Sequence, residues 1–173
     1  MEAVFYGTGS KGRKAEELVL KRKGYTYTGT ISTDTSLNFI NIAFNVGKKY
    51  DNNYNEGYYI QLHEGDKIRK GSYANLSLFY QFFGEYAGVE RNNEKALAMI
   101  EKEMKLYPDD RRAHLPTYLR LLLAAKKPEA DATVQKEIEA ILKKGLNEET
   151  DYSTLELIYN AARLPEQSKL IAN

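Results

Sequence analysis

The chain contains no cysteine among its 173 residues, and this absence removes several classes of chemistry. Without a thiol there is no redox nucleophile, no disulfide framework and no thiolate ligand for a metal. Tryptophan is absent too, and histidine occurs only as His63 and His114. Neither histidine has a carboxylate at a spacing typical of a catalytic dyad or a zinc site. We therefore predict that this chain is not itself an enzyme and that it uses no metal or other cofactor.

Long apolar runs and an excess of charge of one sign are missing as well. No stretch of about eighteen apolar residues is present, so no membrane-spanning helix is predicted. The formal net charge is only +1, which makes neither nucleic acid nor an anionic membrane an expected partner. Residues 1–6 lack the basic and apolar blocks of a signal peptide and have the pattern of a strand. This pattern suggests that the natural start of the protein lies upstream.

Glycine and proline are distributed unevenly, and their distribution divides the chain near residue 72. Nine of the twelve glycines and none of the four prolines precede Tyr73, among short runs of β-branched and aromatic residues that are typical of strands. Beyond that point Leu, Ala, Glu and Lys recur at helical spacings. We predict an α+β chain in two parts, with a β-sandwich at residues 1–72 and an all-α helical array at residues 73–173.

Five strands are predicted in the first part, at residues 3–6, 16–21, 25–32, 37–46 and 58–63. Glycine-containing segments at 7–10 and 23–24 are expected to form turns. Several short strands separated by turns favour an antiparallel sandwich of immunoglobulin-like type. Such a sandwich usually has about seven strands, so two would be irregular here or lie upstream of Met1.

Five helices are predicted in the second part, at residues 76–86, 94–107, 110–126, 131–144 and 152–163, and the segment from 166 has the pattern of a further helix cut short. Each carries an apolar stripe. In the second helix Leu97, Ile100 and Met104 should form the buried face, and Glu103 should stay exposed. Asn92 or Asn93 should cap this helix.

Two residues bear on where the later helices begin and end. Gly145 follows the fourth helix, where a left-handed C-cap is expected. Pro116 contradicts a straight third helix, because a proline in a helix interior removes a hydrogen bond and costs roughly 3 kcal/mol. The third helix should therefore begin later, near residue 114, or bend.

Residues 93–97 and 107–110 resemble the junction between consecutive tetratricopeptide units, since one helix ends at Pro108 and another begins at once. Such units stack paired antiparallel helices and expose a groove that contacts other proteins. The second part is therefore predicted to be a tetratricopeptide-like array with a protein or peptide partner. Tyr80 and Tyr118 are the candidate contact residues.

The most distinctive local pattern is a polar turn at residues 47–58, between two hydrophobic strands. It is typical of a structural hairpin loop, because Asn and Asp hydrogen-bond their own backbone and Gly57 takes positive φ without strain. A cation site is a second interpretation, since Asp51, Asn53 and Asn55 alternate as in a calcium loop. Glu56 and residue 62 depart from that pattern, at the positions of the turn glycine and of the bidentate glutamate.

Sugar binding is a third interpretation of the same turn. The turn interleaves tyrosines with amides, at Tyr50, Tyr54 and Tyr58. The side-chain amides of Asn52 and Asn53 would form hydrogen bonds with the hydroxyl groups of a sugar. The arrangement is similar to that of starch-binding sandwich modules, although no tryptophan is present.

Residues 43–47, the turn at 51–58, residues 71–74 and the helices that follow together resemble a region of some bacterial envelope thioredoxin-like disulfide reductases and isomerases. In that family this region precedes a thioredoxin-fold domain that carries a Cys-x-x-Cys motif, and the whole protein is exported to the periplasm or cell surface. The resemblance implies a non-catalytic accessory region that positions or selects partners for a downstream thioredoxin domain. The family's redox residues match no position here. The alternative is a carbohydrate-binding sandwich with a helical spacer.

Overall fold

The structure is a computed structural model that describes residues 1–146 and 149–162. An antiparallel sheet region comes first and five helices follow within the described residues, so the predicted mixed architecture is confirmed at this level. The strands are β1 (Glu2–Gly9), β2 (Gly12–Glu17), β3 (Lys21–Lys23), β4 (Thr26–Thr28), β5 (Leu37–Val46), β6 (Lys49–Asp51), β7 (Tyr58–Gln61), β8 (His63–Glu64) and β9 (Lys67–Ile68). The helices are α1 (Ser72–Gln81), α2 (Asn93–Leu106), α3 (Arg111–Ala124), α4 (Ala130–Lys144) and α5 (Glu149–Ala161), with short 3₁₀ helices at Phe83–Ala87 and Pro108–Asp110.

One five-stranded sheet organises the first part of the chain. Its order is β2-β1-β5-β6. Strand β7 also pairs with β5, at residues 39–42, whereas β6 pairs with residues 44–46 of the same strand. All of its pairs are antiparallel, and β1 pairs with β5 along almost its whole length. Strands β3 and β4 form a separate exposed hairpin, and so do β8 and β9. The strand predicted at 37–46 is confirmed residue for residue.

Other predicted strands differ in extent. The strand predicted at 25–32 is reduced to Thr26–Thr28, and β6 was not predicted because its three residues are polar or exposed. The predicted turn at 7–10 is wrong in part, since β1 continues to Gly9 and the chain reverses at residues 10–11.

Both faces of the sheet are covered by side chains from residues 1–99. Side chains alternate between the faces along each strand. On one face Phe5 and Ile40 form a buried cluster with Leu37 and the partly buried Ile31. The opposite face presents Phe39, whose ring lies 6.1 Å from that of Phe79 in α1. This second contact brings the helical segment onto the sheet.

The chain divides into two compact units, Met1–Met99 and Ile100–Asn173. The change from strands to helices falls at residue 72, and the first compact unit extends beyond it. The reason is that α1 and the 3₁₀ helix Phe83–Ala87 pack on the sheet through residues such as Phe79.

The second unit has a core of its own, built from α3, α4 and α5. Pro116 lies inside α3, which begins at Arg111, so the prediction that Pro116 delays this helix is wrong. The predicted end of the last helix at 163 and the helix from 166 lie outside the described residues. The buried core residues are Leu115, Leu119, Val134, Ile138, Leu155 and Ile158.

Helix ends and faces follow the sequence in part. Asn92 caps α2, as predicted, by accepting a 2.9 Å hydrogen bond from the Lys95 amide. Gly145 follows α4 with φ +86° and ψ +151°, so the left-handed C-cap predicted there is wrong although its φ is positive. The first helix begins at Ser72 and not at 76, and it is followed by a 3₁₀ helix. Glu103 is fully buried, so its predicted exposure is wrong. None of the helices in the described residues combines the length and apolar character needed to cross a membrane.

Candidate functional site

The polar turn at 51–57 has an unusual backbone. Asn53, Tyr54 and Asn55 are consecutive residues with φ of 51°, 54° and 69°. Left-handed conformation is uncommon outside glycine, and Asn tolerates it better than a bulky residue such as Tyr. Asp51 supports this path, because its Oδ1 accepts hydrogen bonds from the Asn53 amide at 3.2 Å and the Tyr58 hydroxyl at 3.0 Å.

Two asparagine side chains tie the turn to the segment that follows the 3₁₀ helix Phe83–Ala87. Asn52 Nδ2 donates to the Gly88 carbonyl at 2.8 Å, while its Oδ1 accepts from the Asn55 amide at 3.2 Å. Asn55 Oδ1 in turn accepts from the Glu90 amide at 2.7 Å. The amides of the turn are therefore occupied by protein groups.

Gly57 closes the turn at a position where both the backbone conformation and the nearby Phe79 ring disfavour any side chain. Its φ is +76°, and an added Cβ would lie 2.6 Å from Phe79 Cζ. Its carbonyl accepts a 3.1 Å hydrogen bond from Asn53 Nδ2. Glu56 pairs with Lys95 at 2.6 Å on the outside of the same turn. The turn thus lies directly on the Phe79 ring.

This geometry favours the structural interpretation of the turn over the two binding interpretations. The oxygens of Asp51 and Asn55 already accept hydrogen bonds, and the described residues hold no group of three His, Cys, Asp or Glu side chains placed for a metal. Tyr58 packs edge-on against Phe44, with centroids 5.1 Å apart. Only Tyr54, which is 98% exposed, projects freely from the tip.

Tyr50 and the two predicted contact residues lie elsewhere. Tyr50 packs over Gly88, where an added Cβ would approach it to 2.6 Å. Tyr80 is only 3% exposed, so its predicted role as an exposed contact is wrong. The turn covers it, and burial raises the pKa of its hydroxyl well above the ordinary value. Tyr118 is partly buried against the core of the second unit, and burial raises its pKa as well.

A different site lies on the sheet face that carries Phe39. It is a cleft of about 150 Å³ between the sheet and the segment formed by α1 and the 3₁₀ helix, and we call it the aromatic cleft. Strand register builds its floor. Tyr6 in β1 pairs with Asn41 in β5, and Thr8 in β1 lies between Phe39 in β5 and Arg13 in β2. These five residues therefore meet on one face.

Five aromatic rings line the aromatic cleft. Phe39 and Phe79 are buried and form its inner wall. Tyr6 and Tyr86 stack at 6.1 Å, and Phe83 stacks on Tyr86 at 6.5 Å with only 10° between the ring planes. Tyr86 is 58% exposed and lies at the mouth. The walls thus offer flat apolar surfaces that reach from the interior to solvent.

Two polar groups converge on the same space. Asn41 is only 4% exposed, and its Nδ2 has no hydrogen-bond partner. The Arg13 guanidinium lies over the Phe83 ring, 3.0 Å from its centroid, and forms no ion pair with any described residue. Partial burial lowers the pKa of Arg13, while the nearby Tyr86 hydroxyl acts in the opposite direction. Burial also raises the pKa of Tyr6.

An unpaired buried amide is rare in folded proteins and calls for an explanation. The other amide that lines the aromatic cleft is paired, because Asn75 Nδ2 donates to Asn38 Oδ1 at 2.7 Å; Gln61 Nε2, opposite Phe39 in β7, is also unpaired but is not part of the lining. Aromatic walls with a few convergent polar groups are characteristic of small binding sites. The described residues of the cleft supply hydrogen-bond donors and a cation, which are groups that can bind a polar ligand.

Sequence reasoning missed this site. One signal was present, since Asn41 is a polar residue near the middle of the largely apolar strand β5. Its pairing with Tyr6 and the nearby Arg13 depends on strand register and is not visible in the sequence.

A larger and more open groove, of about 510 Å³, lies against the opposite sheet face and the β3–β4 hairpin. It is lined by Leu18, Tyr27 and Phe44 among others, and the described atoms show no unpaired buried polar group in it. The aromatic cleft is therefore the stronger candidate.

Comparison of the chain with protein-family models, with curated proteins and with solved structures gives no significant match. The function is accordingly argued from the geometry of the aromatic cleft and from the sequence resemblance.

Proposed function

We propose that this chain is a non-catalytic recognition region of a bacterial envelope thioredoxin-like thiol-disulfide oxidoreductase. In this proposal the sheet part is immunoglobulin-like, the helices are tetratricopeptide-like, and the region binds a protein or peptide partner for a downstream redox domain. The family, the extracytoplasmic location and the downstream domain rest on the resemblance of residues 43–58 and 71–74. The binding role rests on the aromatic cleft.

The observation that supports binding most strongly is the unpaired Nδ2 of Asn41 at the inner end of the aromatic cleft. A buried donor without an acceptor destabilises the protein by about 1–3 kcal/mol. A partner that supplies an acceptor removes this cost and gains a hydrogen bond in a desolvated place.

The mouth of the aromatic cleft suits a protein or peptide partner. Tyr86 and Arg13 lie there together with the Phe83 ring. Tyrosine and arginine are enriched among residues that dominate binding energy at protein interfaces. A side chain of the partner would enter the cleft while its backbone contacts Tyr86.

Site-specific crosslinking tests the recognition role. A photoreactive phenylalanine analogue replaces Tyr86 in one variant and the exposed Tyr152 of α5 in a matched control, and each is irradiated in envelope extract of the source organism. We expect one partner from the variant at position 86 only. The purified partner should then bind the wild-type chain and bind Tyr86→Ala more weakly. Equal capture at both positions, or no binding by the purified partner, would contradict the proposal.

The family assignment has an independent test. The coding sequence beyond residue 173 should contain a Cys-x-x-Cys motif in a strand-then-helix pattern. In an insulin-reduction assay the 173-residue chain should show no turnover above buffer, while the longer protein should reduce insulin. Turnover by the cysteine-free chain alone would show that the assignment of catalysis to the other domain is wrong.

One observation supports sugar binding as a second candidate. Tyr54 projects from the turn with 98% of its surface exposed, and an exposed ring can stack on a sugar. A glycan array tests this candidate, with Tyr54→Ala as the variant and the exposed Tyr25→Ala as the control. Binding that is lost only in Tyr54→Ala supports it, and silence across the array removes it.

A further inference from the structure

We infer that the aromatic cleft binds one planar aromatic ring that carries a carboxylate at one end and a hydroxyl at the other, presented either as a free hydroxylated aromatic acid or as the C-terminal tyrosine of a peptide. This inference rests on the binding role proposed above and specifies the chemistry of the ligand. Three features of the cleft support it: its size, its unpaired donor and its unpaired cation.

The size of the aromatic cleft selects a single ring. Its volume of about 150 Å³ equals that of an engineered apolar cavity that binds benzene. Phe39 and Phe79 form an inner wall in which the two ring planes are tilted by 55°. Aromatic rings favour offset-stacked and edge-to-face contacts with one another. A planar ring therefore fits this space better than a branched aliphatic group of similar volume.

The interior of the cleft requires an acceptor. Asn41 is held in the middle of β5 by ladders to both β1 and β7, so its backbone position is constrained. Its Nδ2 is a donor without a partner. Thr8 adds a hydroxyl on the same wall. A ligand oxygen that reaches Asn41 satisfies this donor, whereas a hydrocarbon ring alone would leave it unpaired.

The mouth of the cleft favours negative charge. The Arg13 guanidinium lies over the Phe83 ring, and no carboxylate of the described residues forms an ion pair with it. Lys14, the next residue, differs in this respect because it pairs with Glu16 at 3.5 Å. Guanidinium groups bind carboxylates through two parallel hydrogen bonds, and a stacked guanidinium is already oriented for this. Arg13 therefore discriminates between an acid and its neutral analogue.

An NMR titration of the full chain tests this inference. The probes are 4-hydroxybenzoate, benzoate as the ring acid without the hydroxyl, benzyl alcohol as the neutral ring, acetate as the charge without a ring, and a short peptide ending in Tyr with a free or an amidated C-terminus. With benzoate we expect saturable shifts of the Arg13 Nε–H, and with 4-hydroxybenzoate we expect shifts of the Asn41 side-chain amide as well. Benzyl alcohol and acetate should bind at least about tenfold more weakly than benzoate, because benzyl alcohol lacks the charge and acetate lacks the ring.

Two arginine variants separate the charge contribution from general effects. Arg13→Gln should weaken benzoate binding about tenfold and leave benzyl alcohol binding nearly unchanged. Arg22→Gln is the matched control, since Arg22 also lies over a ring, that of Tyr27, at 5.8 Å on another hairpin. It should leave both affinities unchanged. The amide spectrum of each variant verifies that the fold is retained.

Several outcomes would overturn the inference. Unchanged Asn41 and Arg13 resonances at millimolar concentrations of every probe would indicate that water alone satisfies Asn41. Equal affinity for benzoate and benzyl alcohol would show that the negative charge of the ligand does not contribute to binding. Binding of the free-carboxylate peptide but not the amidated one identifies a C-terminal residue as the source, and binding of 4-hydroxybenzoate and benzoate alone identifies a free acid.

The recognition role can fail separately. If the crosslinked partner binds but none of these probes does, the ligand chemistry is wrong and the recognition role stands. If benzoate binds but no peptide or protein partner does, the aromatic cleft is a small-molecule site and the recognition role is wrong.

Discussion

Replacing Gly57 by alanine should destabilise the first unit far more than the same change at Gly47. Both glycines have positive φ, +76° at Gly57 and +64° at Gly47. An alanine therefore meets the same backbone strain at both positions, about 1–2 kcal/mol. The surroundings differ. An added Cβ at Gly47 meets nothing within 4 Å, whereas at Gly57 it lies 2.6 Å from Phe79 Cζ.

The extra cost at Gly57 arises because Phe79 cannot yield easily. Its ring is buried and contacts Phe39, Tyr59 and Tyr80. Overpacking of a buried site costs roughly 1–3 kcal/mol. We therefore expect Gly47→Ala to lower the free energy of unfolding by about 1–2 kcal/mol and Gly57→Ala to lower it by about 2–5 kcal/mol.

Urea denaturation measures both losses. Tyrosine fluorescence and circular dichroism follow the unfolding, and amide resonances of residues 1–99 assign the transition to the first unit. A double-mutant cycle isolates the overlap, because Phe79→Leu should offset part of the cost of Gly57→Ala but none of the cost of Gly47→Ala. Equal losses in the two alanine variants, or a zero coupling between positions 57 and 79, would refute the reasoning.

Three further predictions concern a buried ion pair, a buried hydroxyl and an anchoring amide. Arg112→Met should lower the unfolding free energy of the second unit by about 1–3 kcal/mol in urea, because the Asp151 carboxylate, 6% exposed, then loses a charged partner. Burial raises the pKa of the Tyr80 hydroxyl in the folded protein, so the unfolded chain loses the hydroxyl proton at lower pH than the folded chain does. The stability that depends on this proton is therefore present below about pH 10 and falls as the pH rises further. Tyr80→Phe should show a smaller alkaline decrease in the urea midpoint. Asn52→Ala should cost about 1–3 kcal/mol through two lost hydrogen bonds, while Asn93→Ala, an exposed control, should change the midpoint little.

Local pattern was sufficient to predict part of this fold. Strand β5 was predicted with both of its ends correct because its apolar residues are dense, with Asn38, Asn41 and Asn45 as the polar positions, and because Gly47, a turn residue, follows. The Asn92 cap was predictable because it depends only on the three residues that follow it. The change from strands to helices at residue 72 is likewise a property of composition.

Predictions that depended on distant neighbours were wrong or incomplete. Tyr80 was predicted to contact a partner but is covered by a turn that lies 24 residues earlier in the chain, as its contact with the Glu56 carbonyl shows. Glu103 lies beside charged residues and is nevertheless buried. Burial of such residues is decided by packing between elements, and the spacing of residues along one helix does not reveal that packing.

The aromatic cleft could not be predicted for the same reason. Its polar groups come from β2 and β5, and its mouth comes from a 3₁₀ helix that replaced the end of a predicted α-helix. Register brings Arg13, Thr8 and Phe39 into one row, and a shift by one residue would send each to the other face. The spacing of these residues in the sequence does not indicate that they meet.

The Phe79 ring is both a wall of the aromatic cleft and the surface on which Gly57 rests. An occupant that immobilises this ring would therefore slow local opening of the turn above it. The Glu56 and Gly57 amides, bonded to the carbonyls of Asn53 and Asn52, would then exchange their hydrogens for deuterium more slowly. A ligand bound in the aromatic cleft would thus alter the opening of the surface turn beside Tyr54, which a second molecule can contact.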